Sequence, residues 1–111
     1  MNKRDRLLQS LFKAEDITLG EDVFSVREMD TKQSTAYESS LIKVVGGKPE
    51  YDLKEAKSKM VQLCLFDKDG KKVFEKGDIA LIEAMPKSVV EKIFDIATKI
   101  NAIDKTVTEK N

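Results

Sequence analysis

The chain has 111 residues, 20 Lys+Arg against 20 Asp+Glu, no His, no Trp and one Cys. A zero net charge speaks against a protein whose business is binding nucleic-acid phosphates, which takes a clustered excess of Lys and Arg. Without an imidazole, Ser-His and Cys-His nucleophile pairs are excluded. A lone Cys64 can form neither an internal disulfide nor a thiolate zinc site.

The first apolar pattern is Leu7, Leu8, Leu11 and Phe12, at helical spacing. It predicts a short helix from Asn2 to Glu15, which must dock on something to persist. Ile17 and Leu19 then alternate with Thr18, and Phe24 and Val26 alternate with Val23, Ser25 and Arg27. Gly20-Glu21-Asp22 lies between the two runs, so a β-hairpin is expected there. Two strands alone are marginal, so helices must cover one face.

Asp30 or Thr31 is placed to cap a second helix from about Lys32 to Val45, with Ala36, Tyr37, Leu41, Val44 and Val45 as its stripe. Gly46-Gly47 reads as its stop and 48–51 as a loop. Asp52 is placed to cap a third helix, Leu53 to Phe66. Its end, Met60 to Phe66, is apolar nearly all round, which marks the middle of the core. Asp67-Lys68-Asp69-Gly70 is a tight turn and Val73-Phe74 a short extended piece. Asp78 then caps a helix from Ile79 to Ala84. Pro86 stops that helix and opens the last one, whose stripe is Val89, Val90, Ile93, Phe94, Ala97 and Ile100. Residues 104–111 read as a polar, frayed tail.

The motifs that suggest chemistry fall short of it. Counted as a calcium loop from Asp67, the fifth position is the cation Lys71 and the twelfth is Asp78 in place of Glu. Gly46-Gly47-Lys48 lacks the rest of a phosphate loop. Cys64, between Leu63 and Leu65, reads as a small core residue. Glu83, Glu91 and Asp95 read as solvated helix positions. The lysines at 54, 57, 59, 71, 72 and 76 make no single helical stripe. No catalytic, cofactor-binding or metal-ligating residue is expected. No apolar stretch reaches the roughly 20 residues of a membrane span, and no signal peptide is apparent. A cytosolic setting with Cys64 reduced is expected.

Three stretches together resemble the tail assembly chaperones of long-tailed bacteriophages. They are Lys3-Arg4-Asp5-Arg6-Leu7-Leu8 with the hairpin and Arg27-Glu28-Met29; Val61 to Gly70 with Val73-Phe74; and Ile79 to Met85-Pro86 with Val90, Ile93-Phe94 and Asn101. The resemblance implies a non-enzymatic protein of the bacterial host cytoplasm, absent from the mature virion. It would coat and solubilise the tape measure protein, help recruit the tail tube protein, and self-associate. Many such chaperones are made as two products, the longer by a ribosomal frameshift, and of such a pair this would be the short form. The resemblance fits a surface rich in charge and an apolar groove for amphipathic helices. Leu65, Phe66, Ile79, Ile82 and Met85 are the expected contact region. The expected fold is α+β, a mainly helical single domain over 1–103 with a small N-terminal hairpin packed on the helices. The alternative function is a small regulatory or nucleic-acid-binding module.

Overall fold

Alternation in the first third of the chain does produce a hairpin. In a computed structural model, which describes residues 2–9 and 12–102, β1 (Ala14–Leu19) pairs antiparallel with β2 (Asp22–Arg27). Leu19 stands opposite Asp22, so the turn is the two residues Gly20-Glu21, and Gly20 takes φ 65°. That left-handed angle suits glycine and gives the tight turn the twist of its strands.

The first helix is shorter than its sequence suggests. α1 spans Lys3–Gln9, and Ala14 and Glu15 belong to β1. Pairing of Ala14 with Arg27 and of Glu15 with Val26 satisfies backbone groups that a longer helix would have to satisfy alone.

α2 (Thr31–Ser40) begins as expected at Asp30. The Asp30 carboxylate accepts the Gln33 N–H at 2.7 Å, and the Gln33 side chain accepts the Asp30 N–H at 3.0 Å. This is a capping box, with Gln in the third position. The helix does not continue to Val45. Instead Ile42–Val45 forms β3, and Lys48–Tyr51 forms β4. Gly46 and Gly47 are the turn between them, with φ of 57° and 80°, as a two-residue primed turn requires. They are therefore neither a helix stop nor the start of a loop. The β-branched Ile42, Val44 and Val45 favour an extended chain, and a Gly-Gly pair offers them a partner strand four residues long.

α3 runs from Ala56 to Cys64, shorter than predicted at both ends. Asp52 accepts the Lys54 N–H at 3.2 Å, holding a turn ahead of the helix in place of capping it. At the other end Leu65–Asp67 leaves the helix and becomes β5, which pairs with β2. The sheet order is therefore β1-β2-β5, one strand more than the hairpin. Asp67 to Gly70 turns the chain, and Phe66 bridges to Lys72. A 3-10 turn (Lys76–Asp78) leads into α4 (Ile79–Glu83), and α5 follows Pro86 as Lys87–Ile100. The predicted tail, 104–111, lies outside the described residues.

The layers follow from the apolar faces. α5 packs across β1 and β2 on one side and against α3 on the other, and α3 also meets α4 and α2. Val26, Met60, Val61, Cys64, Ile82, Ile93, Phe94 and Ala97 are completely buried where these elements meet. The all-round apolar end of α3 thus sits at the centre, as its pattern implies. The fold is α+β, with a sheet packed on helices.

Candidate functional site

The buried titratable groups are held quiet. Cys64 is fully buried, and burial pushes its thiol up to about 12. The Asn101 amide, 3.7 Å from Sγ, acts weakly in the opposite direction. At neutral pH this sulfur is a thiol, the unreactive form. Burial, with a further contribution from Cys64, raises the pKa of Tyr37, whose hydroxyl donates to the Ala56 carbonyl at 3.2 Å. Asp67 is occupied by its own turn. Its Oδ1 accepts the Lys71 N–H at 2.9 Å and the Asp69 N–H at 2.8 Å. The Lys71 N–H is foremost in holding the Asp67 carboxyl below the usual carboxylate range. The Asp67 Oδ1 is thus committed to holding the turn. Glu91, expected as a solvated position, is half-buried and lies 3.3 Å from Lys57 and 3.7 Å from Lys87.

What the surface offers is apolar. The five residues predicted as a contact region are not gathered on one surface. Leu65 is 2% exposed and Ile82 0%, so both belong to the core and present nothing to a partner. Leu65 faces inward from β5, and Ile82 is the inward residue of the short α4. Phe66 is half-buried beneath the Arg27 guanidinium, 4.8 Å from the ring centroid, an arrangement that attracts a cation to the ring face. Met85 packs against the core. Only Ile79 opens into the main cleft.

That cleft, about 530 Å³, lies between α2, α3 and the turn leading into α4. Ala36, Tyr37, Leu63 and Ile79 supply its apolar lining. Lys32, Lys59, Lys72 and Lys76 stand around it, with Glu75 the one acid among its lining residues. Lys59 Nζ is 3.4 Å from the Ser40 carbonyl, tying α3 to α2 across one end. Gln62 Nε2, 3.5 Å from the Phe74 carbonyl, tethers the 65–74 segment to α3 at the other. Sequence spacing hides this ring of lysines, because its members come from three separate elements.

A second apolar surface lies on the β3–β4 hairpin, where sequence spacing predicts the end of a helix and a loop. In the β3–β4 register Ile42 faces Tyr51 and Val44 faces Pro49. Alternation therefore puts Ile42, Val44, Pro49 and Tyr51 on one face of the hairpin. Ile42 is 47% exposed, Val44 72% and Tyr51 59%. The readable signal was the Gly-Gly pair flanked by four-residue runs. Leu7, Leu8 and Phe12 near the N-terminus, and Leu81 on α4, are also well exposed. No described helix is long and apolar enough to cross a membrane.

The sequence matches no protein-family model and no curated protein. Among solved structures the fold matches that of the bacteriophage HK97 tail assembly chaperone. The TM-score is 0.62 and the identity 14%, over 87% of this chain and 95% of that one. This chain has the fold of a bacteriophage tail assembly chaperone.

Proposed function

We propose that the protein is a tail assembly chaperone. It holds the tape measure protein in solution in the host cytoplasm, helps bring tail tube subunits to it, and is left out of the finished virion. The observation that carries this reading is the shared fold, nearly end to end, with a protein of that description. The surface supports it. A coat protein needs apolar areas that it can leave uncovered without precipitating, and this chain surrounds its exposed apolar face and cleft with charge. Helix-in-groove docking suits the cleft, and Ile79 is the member of the predicted contact set that reaches it. Weak sites repeated along a long partner gain from multivalency, so several copies act on one tape measure chain and associate with one another. No catalytic step and no cofactor is part of this role.

Co-expression with the cognate tape measure protein tests it. The expected result is that the tape measure protein moves from the pellet to the soluble fraction. If it stays insoluble beside well-expressed, folded chaperone, the proposal fails.

A further inference from the structure

Resting on the chaperone reading, we infer that the cleft between α2 and α3 selects helical partner segments whose apolar stripe is flanked by acidic residues. Charge complementarity around an apolar lining supports this selection. Four lysines, at 32, 59, 72 and 76, meet at the cleft against Glu75 alone, although the whole chain is neutral. Ion pairs form at Lys43–Asp52, Lys57–Glu91 and Lys87–Glu91, and none of these takes a cleft lysine. The cleft lysines are thus not neutralised within the fold. Their potential points at whatever occupies the cleft.

The occupant is a helix and not a nucleic acid because of what lies between the lysines. Ala36, Leu63 and Ile79 provide apolar surface of helix-stripe character. Phosphate and base edges would leave that surface poorly matched. A cleft of about 530 Å³ is the size of a small-ligand pocket, enough for the side chains of one or two helical turns. Each contact is therefore weak, and the lysines decide which turns of a long helix are taken. Opposite charge across a rim governs choice of partner and association rate more than raw affinity.

The test uses the full chain and two synthetic amphipathic peptides of about 18 residues, long enough to hold helix when docked. Both carry the same leucine stripe. One is flanked by glutamates and the other by lysines. A short oligo-dT strand is the third probe. Binding is read by fluorescence anisotropy at low and high salt. The acidic peptide is expected to bind about tenfold more tightly than the basic one, with the preference shrinking as salt rises. Lys32→Glu with Lys76→Glu, both at exposed positions, should reverse the preference, and Lys32→Gln with Lys76→Gln should weaken it without reversing it. Circular dichroism checks that each variant is folded. Equal binding of the two peptides overturns the inference, as does a preference that survives charge reversal or tighter binding of oligo-dT that the reversal removes. Solubilisation of the tape measure protein by the wild type is scored separately. If it succeeds while the peptides are not distinguished, the charge selection is wrong and the chaperone role stands. If it fails, the chaperone role is what fails.

Discussion

The side-chain oxygen of Asn101 accepts the backbone N–H of Met29 at 2.8 Å, joining the end of α5 to the chain just past β2. The same amide donates to the Ala97 carbonyl at 2.8 Å, so its orientation is fixed from the helix side. Met29 is buried, and its N–H would otherwise be left without an acceptor. Asn101→Ala should therefore destabilise by about 1–3 kcal/mol, the usual cost of orphaning a buried donor. Urea unfolding followed by circular dichroism checks this. A change below about 0.5 kcal/mol, the range of an ordinary surface substitution, would mean the latch is dispensable.

Cys64 gives a pH-dependent signature. Burial disfavours the thiolate and pushes the folded-state pKa up from the ordinary thiol value of 9.0 to about 12. Stability from keeping the thiol neutral is whole below the unfolded pKa and drains away as pH rises from about 9 towards 12. The Tyr37 hydroxyl, also raised by burial, adds to that alkaline loss. Cys64→Ala should flatten this limb while lowering stability near neutrality through the lost volume. Labelling of the native protein by a thiol reagent should be slow and should speed up with urea. Fast labelling in native buffer would contradict the burial.

Ile82 separates folding from binding. It is 0% exposed, so Ile82→Asp places an unpaired carboxylate in the core and should unfold the protein. Ile82→Ala should cost about 2–5 kcal/mol. Loss of partner binding in either variant reports on the fold. Ile79→Ser, at the cleft, is the informative change. It should reduce partner binding while leaving the protein folded, as judged by near-unchanged circular dichroism at room temperature.

The exposed hairpin face makes a different prediction. Val44 is 72% exposed and Tyr51 59%, so Val44→Thr with Tyr51→Thr should change stability by only about 0.5 kcal/mol. The pair should nevertheless lower the binding of an apolar dye and reduce solubilisation of the tape measure protein. Unchanged solubilisation would remove this face from the docking surface. Gly46→Ala probes the turn beneath it. At φ 57° an added Cβ meets no atom within 4 Å, so any loss comes from the left-handed backbone alone, about 1–2 kcal/mol.

How far the sequence could be read depended on what competed with each local signal. The α5 stripe was legible because its spacing repeats over 14 residues and every predicted position is buried or half-buried. Asp30, Gly20 and Pro86 each mark a boundary by a single stereochemical preference, and each does so in the structure. Leu65 and Phe66 were read as helix because an apolar run does not distinguish a helix end from a short buried strand. Pairing with Val26 and Ser25 of β2 decided the matter, and those residues are some 40 positions away. The same run misdirected the contact residues. Hydrophobic excess in sequence cannot separate the core from a groove, so Ile82 and Leu65 looked like surface. The lysine ring was invisible because Lys32, Lys59, Lys72 and Lys76 meet only once α2, α3 and the turn before α4 are packed.

Sedimentation velocity of this protein co-expressed with a tape measure protein is the most direct test of the proposed role. One fast-sedimenting species containing both proteins, with more than one copy of this chain per tape measure chain, is the expected result. If this protein sediments only at the rate it shows alone, while the tape measure protein is recovered separately, the proposed role is refuted.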